Sequence, residues 1–134
     1  QHIRLELTPE TFPQIARART FGFLEQVEYL RSKGLAKGGS LDNAVVIGPG
    51  GVLNEDGLRF ENEFVRHKVL DFVGDMAMLP LPVQGHFTLR CSGHELHNMF
   101  VRKLEAEGAL QEMELREAAQ KPCTGRATSA WVAA

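Results

Sequence analysis

The sequence predicts an α+β domain. Apolar and polar residues alternate at period two over His2–Leu7, an apolar run at Ala44–Ile47 suits a strand, and Glu61–Leu79 carries apolar residues at helical spacing. Its 134 residues, 43% hydrophobic and 24% charged, suffice for about one domain with its own core.

Taken in order, His2-Ile3-Arg4-Leu5-Glu6-Leu7 reads as a half-buried strand that begins almost at the first residue. So abrupt a start leads us to expect the later part of a longer protein. Thr8-Pro9-Glu10 supplies an N-cap, a proline at the first helical position and an acid in the first turn, opening a short helix to about Arg17 that Pro13 keeps short or kinked. A second helix is predicted over Glu25–Lys33, ending at Gly34, and Gly38-Gly39 leads into the strand at Ala44–Ile47. After the turn Gly48-Pro49-Gly50-Gly51, a hairpin is predicted around Asp56-Gly57. The longest helix follows, from Glu61 to about Leu79, then a strand over Val83–Arg90 and a helix from about His94 to Glu107. Leu110–Leu115 suits an edge strand or more helix, and from Lys121 the Pro, Gly, Thr, Ser and Ala content predicts a disordered tail.

Several function classes drop out on composition. The longest apolar stretches, around Ala44–Ile47 and Met76–Val83, are far shorter than the ~20 residues of a membrane span, and no basic region precedes an apolar core at the N-terminus. With Lys+Arg 15 against Asp+Glu 17 and net charge −2, nothing gathers enough positive charge for a phosphate backbone, so no nucleic-acid partner is expected. Cys91 and Cys123 lie far apart without a CxxC, which supports neither a disulfide framework nor a thiolate metal site. A reducing, cytoplasmic setting fits.

Three segments carry chemistry. On the long helix, with His67 as zero and ~100° per residue, Asp71 falls near 40°, Asp75 near 80° and Lys68 near 100°, while Val65, Val69, Phe72, Val73 and Met76 gather around 180°. The apolar face can bury against a sheet and leave an imidazole and two carboxylates stacked a turn apart. His67 and Asp71 at i, i+4 suit either one metal ion or a solvated ion pair. Ser92-Gly93-His94-Glu95-Leu96-His97-Asn98 puts two histidines at a helix start, where the dipole tunes His94 toward proton transfer, or where a histidine simply caps or lies at the surface. Phe21-Gly22-Phe23 before a helix suits core filling or an apolar slot for a ligand chain; the slot needs small residues opposite, such as Ala36, Gly39 and Ala44. His2 and His86 lie in strand patterns and attract no role.

Four motifs in one order carry a resemblance: Arg17-Ala18-Arg19-Thr20-Phe21-Gly22-Phe23; Val52-Leu53-Asn54-Glu55-Asp56-Gly57-Leu58-Arg59-Phe60; Glu63 through Asp71 with Gly74-Asp75; and Ser92-Gly93-His94. Over about residues 1 to 107 the chain resembles the second domain of the UDP-3-O-acyl-N-acetylglucosamine deacetylases, zinc hydrolases of lipid A biosynthesis. The resemblance implies a two-layer sandwich of paired helices on a sheet, with a βαβ insert over about 18–47. It implies a partial C-terminal deacetylase domain over 1–118, with 119–134 as the tail.

It also implies roles. His67 and Asp71 match the family's HKxxD motif and become two of its three protein zinc ligands, with Lys68 beside them on the substrate. Asp75 and His94 match a pair in which the carboxylate holds a histidine that becomes charged and acts on the developing oxyanion or the leaving amine, and Thr20 matches a threonine near that oxyanion. Phe21, Gly22, Phe23, Val27, Ala36, Leu41, Ala44 and Val46 fall in the insert, which forms a passage for the acyl chain. The substrate implied is a UDP-linked acylated amino sugar. The family's third zinc ligand, a histidine preceded by the glutamate general base, belongs to a first domain that this sequence does not contain, so that N-terminal domain is an implied partner. The rival expectation is a truncated fragment without activity that serves only as an interacting half.

Overall fold

Residues 1–8 contain no strand in the computed structural model, which describes residues 1–114. Alternation assigns two faces to a segment, but a strand needs a hydrogen-bonding neighbour, and His2–Leu7 has no ladder partner among the described residues. The first helix is shorter than expected, α1 (Pro13–Ala16). Thr8 and Thr11 explain the delay: the Thr8 N–H donates to Thr11 Oγ1 at 2.8 Å and the Thr11 N–H to Thr8 Oγ1 at 3.3 Å, so residues 9–12 form a turn. The helix then starts at Pro13, whose missing N–H is harmless in a first turn.

The remaining elements are β1 (Thr20–Phe23), α2 (Leu24–Ser32), β2 (Ala44–Gly48), β3 (Gly51–Val52), α3 (Glu63–Met76) and α4 (His94–Ala106). Helices with a three-stranded mixed sheet, in the order β1-β2-β3, make the chain α+β. It divides into two units inside α3, one comprising Ile3–His67 with Gln1, the other running from Lys68 and including His2.

In the first unit β1 and β2 are parallel, with Thr20 opposite Ala44, Gly22 opposite Val46 and Phe23 opposite Ile47, and α2 is the crossover between them. α2 ends as its sequence predicts, with Gly34 at φ +73° letting the Leu35 N–H return to Leu30 O at 2.9 Å. The hairpin lies earlier than expected: β2 and β3 pair antiparallel through Gly48↔Gly51, and Gly51 at φ +117° takes a conformation that side chains resist. Asp56-Gly57 forms only a turn, closed by the Gly57 N–H on Asn54 O at 2.9 Å.

Asn54 is the reason. Its buried side chain accepts the Val46 N–H at 3.0 Å and donates to Leu41 O at 2.7 Å and Ala44 O at 2.9 Å, taking up sheet-edge groups that a longer β3 would otherwise meet. Asn54→Ala is expected to lower the stability of this unit by about 2–3 kcal/mol by orphaning these groups, as read by urea denaturation.

Ile15, Ala18, Val45, Val46 and Val65 form the apolar interior of this unit, and a buried ion pair crosses it. Arg19 is 3% exposed and Glu63 fully buried. The Arg19 backbone N–H and Nε both donate to Glu63 Oε1 at 2.9 Å, Nη2 donates to Oε2 at 3.1 Å, and the Arg59 N–H reaches Oε2 at 2.6 Å. The other guanidinium protons go to Gly57 O at 2.7 Å, Leu41 O at 3.3 Å and Asp56 Oδ2 at 3.3 Å. Burial opposes the charge on Glu63, but the hydrogen bonds from Arg19 and Arg59 outweigh it and hold its carboxyl below the usual carboxylate range. Glu63 also stands in the first turn of α3, where the helix dipole favours an anion. Gln1 completes that helix start by accepting the Val65 N–H at 3.1 Å on its side-chain oxygen.

In the second unit α3 buries Phe72 and α4 buries His97 and Val101, with Leu79 just beyond α3. The predicted strand at Val83–Arg90 is absent, since that segment pairs with no other strand among the described residues. It is tied by Phe87 instead, whose ring lies 5.2 Å from Phe72 and 6.3 Å from Phe100. Residues 110–114 form neither strand nor helix. Leu115, Cys123 and the tail expected at 119–134 lie outside the described residues.

Candidate functional site

The polar face expected on α3 is built by its own periodicity. His67 and Asp71 stand one turn apart and Asp75 a turn further, all half-buried, while Val65 and Phe72 on the other face are buried.

In the first unit, His67 Nδ1 lies 3.1 Å from Ala18 O. A carbonyl can only accept, so Nδ1 carries the proton of this contact. An imidazole anchored through one nitrogen to a backbone carbonyl is oriented for a metal at the other. Phe21 packs beside it: its ring centroid is 4.8 Å from Phe64 and 6.4 Å from His67, the latter edge-on. Thr20 is exposed on β1, with Ala44 as its ladder partner. Gly22 lies under α2, where a Cβ would meet the Val27 side chain at 3.6 Å. The ladder thus gathers Thr20, Gly22, Ala44 and Val46, while Ala36, Gly39 and Leu41 lie exposed in the connection from α2 to β2. Phe23 is 54% exposed, which removes it from the core.

In the second unit the side chains form one connected line. Lys68 Nζ donates to Asp71 Oδ2 at 3.1 Å, and Asp71 Oδ1 lies 3.8 Å from His94 Nε2. His94 Nδ1 is 2.8 Å from Asp75 Oδ2, and His97 Nδ1 is 2.7 Å from the same oxygen. Burial opposes the Asp75 charge, but the hydrogen bonds from His94 and His97 outweigh it, so its carboxyl is held below the usual range. The His94 side chain is 65% exposed and can meet a reactant.

The contact between Asp75 and His94 follows the sequence expectation; the part played by His97 does not. Its i+3 spacing from His94 puts both rings on one face of α4, the one signal in the sequence that points to it. Asp75, His94 and His97 offer atoms within 4.8 Å of one another, a grouping that could hold a metal ion. Ligand atoms of a tetrahedral zinc at ~2.0–2.1 Å stand about 3.3 Å apart, however. The separations of 2.7 and 2.8 Å are those of hydrogen bonds.

Comparison with known proteins gives a consistent relationship. A family model described as UDP-3-O-acyl N-acetylglycosamine deacetylase matches residues 1–106. The chain is 59% identical over 128 residues to a UDP-3-O-acyl-N-acetylglucosamine deacetylase of Nitratidesulfovibrio vulgaris, covering 94% of this chain and 42% of that protein. It is 60% identical over 124 residues to the protein of the same name in Oleidesulfovibrio alaskensis, covering 90% and 41%, and 56% identical over 110 residues to that of Lawsonia intracellularis, covering 82% and 36%. The chain spans about two fifths of the length of these relatives.

Proposed function

Because the chain belongs to the UDP-3-O-acyl N-acetylglycosamine deacetylase family, we propose that it supplies one half of a zinc-dependent site that removes the N-acetyl group from a UDP-linked, 3-O-acylated N-acetylglucosamine in lipid A biosynthesis. The observation that carries this reading is the 2.8 Å contact between His94 and Asp75, which leaves an exposed imidazole backed by a half-buried carboxylate.

His67 and Asp71 hold the zinc, with a histidine and a glutamate base coming from the N-terminal domain. The donor set fits: an imidazole whose Nδ1 is engaged by Ala18 O, and a carboxylate one turn on. A zinc ion so bound supplies Lewis-acid polarisation of the acetyl carbonyl and activates water. The rest is done by the chain's own groups. Lys68 neutralises negative charge on the substrate, and the Thr20 hydroxyl donates toward the oxyanion. His94, its Nδ1 proton given to Asp75, offers an Nε2 proton to the oxyanion or the departing amine. Acetate and the free amine are the products.

The acyl chain follows the parallel β1–α2–β2 unit, which we assign as the family's insert over about 18–47, past Phe21, Gly22, Phe23, Val27, Ala36, Gly39, Leu41, Ala44 and Val46. Each buried methylene contributes ~0.8 kcal/mol to affinity. We assign residues 1–118 to a partial C-terminal deacetylase domain, an incomplete two-layer sandwich. No described helix is long and apolar enough to cross a membrane, and the reaction is assigned to the cytoplasm.

The test joins the chain to the N-terminal segment of the Nitratidesulfovibrio vulgaris relative and measures acetate release and zinc content. One zinc per chain and turnover that chelation abolishes and zinc restores are expected; a folded joined protein that releases no acetate overturns the reading. Phe23→Ala in that protein is expected to weaken binding of a long-acyl substrate far more than that of a short-acyl analogue, with melting temperature little changed because the ring is already half in solvent. Asp75→Asn is expected to lower kcat/KM, because the amide removes the carboxylate charge that faces the His94 Nδ1 proton. His94→Ala loses activity at every pH while keeping zinc.

A further inference from the structure

Ser92 and His97 extend a hydrogen-bonded line from Asp75, and neither has a part in the proposed reaction. Ser92 Oγ is 2.9 Å from His97 Nε2, and His97 Nδ1 is 2.7 Å from Asp75 Oδ2. The His97 residue is 1% exposed, and its ring meets Phe72 edge-on at 5.2 Å. Both nitrogens and one edge contact are therefore set by neighbours.

The protons follow from the partners. The Asp75 carboxylate only accepts, so His97 Nδ1 donates to it, and the Ser92 hydroxyl, able to donate or accept, is hydrogen-bonded to Nε2. No buried side-chain nitrogen or oxygen among the described residues lacks a partner, so this arrangement leaves nothing unsatisfied.

Asp75 Oδ2 is also the oxygen that takes the His94 Nδ1 proton. Left to itself, a carboxylate pairing with a 65% exposed imidazole is held loosely, because solvent competes for both partners. His97 changes that, since it is anchored by Ser92 and Phe72 and pins the shared oxygen from the buried side.

We propose that His97, set by Ser92, is a positioning residue: it fixes the Asp75 carboxylate so that His94 presents its outer nitrogen in a single orientation. The kinetic consequence rests on the role of His94 proposed above; the positional one does not. A residue at 97 must donate from the place of Nδ1, which asparagine reproduces and alanine does not.

The test uses the joined protein with 15N-labelled histidine, as wild type, His97→Ala, His97→Asn and Ser92→Ala. Circular dichroism reports folding, side-chain NMR reports the His94 Nδ1 proton, and steady-state kinetics report kcat and KM. Loss of a mate that orients an active-site group lowers activity roughly 10–100-fold. In His97→Ala that loss is expected in kcat with KM little changed, and the His94 proton signal broadens or vanishes. His97→Asn restores both in large part, and Ser92→Ala gives a smaller loss of the same kind. A folded His97→Ala with the His94 signal and kcat unchanged overturns the proposal, as does His97→Asn falling as far as alanine, which marks a packing role. Should His97→Ala fail to fold, an unchanged His94 signal and kcat in Ser92→Ala overturns it. Absence of acetate release from the wild type sinks the deacetylase reading alone, because the NMR comparison still decides the positioning.

Discussion

Glu63→Gln is expected to lower the stability of the first unit by about 3–5 kcal/mol, the cost of breaking one side of a buried ion pair. The arginine stays charged and buried, and an amide group now confronts N–H donors that had all faced carboxylate oxygen. Against a typical total of ~5–15 kcal/mol the loss is large. Arg19→Ala should do comparable damage, because it removes the guanidinium that joins Leu41, Asp56, Gly57 and Glu63 and leaves a buried carboxylate behind. Urea denaturation followed by circular dichroism measures both, and a loss below about 1 kcal/mol contradicts the role given to the pair.

The same pair sets an acid limit. The folded carboxyl of Glu63 lies below its unfolded value of about 4.3. Its contribution is therefore fully present above that pH and is lost as pH falls through the folded value. Melting temperature should decline on acidification below about pH 4.3, and Glu63→Gln should flatten that decline relative to the parent. An equal slope in both proteins shows that other carboxylates control acid unfolding.

His67→Ala or Asp71→Ala, in the protein joined to its N-terminal segment, is expected to abolish zinc binding and lower kcat/KM by about a thousandfold or more. Loss of a metal that stabilises transition-state charge removes several kcal/mol, and each ~1.4 kcal/mol is tenfold in rate. The fold should survive. Both residues are only half-buried, and losing the His67 contact with Ala18 O costs about 1 kcal/mol. Zinc stoichiometry alongside circular dichroism separates metal loss from unfolding, and retention of one zinc in both variants removes this assignment.

The sequence determined the features that depend on neighbours close along the chain. The opposed faces of α3 follow from a 3.6-residue period, α2 stops where Gly34 permits a left-handed turn, and α4 starts after Gly93. The apolar run at Ala44–Ile47 forms a strand, and the four ordered motifs are enough to mark the family. Tertiary structure decided whatever needs a partner far away in sequence. His2–Leu7 and Val83–Arg90 carry strand patterns, yet a pattern supplies a face and not the ladder partner that makes a strand. Asn54 took over the edge of β2 and moved the hairpin to Gly48–Gly51, a choice made by side-chain hydrogen bonds reaching back as far as Leu41. Arg19 and Glu63 stand 44 residues apart, and only folding removes both from water and leaves each as the other's main counter-ion. His97 is the same case at the candidate site. Its spacing from His94 was visible, but only the approach of Asp75 and Ser92 to its two nitrogens turns a helix-face histidine into a buried strut.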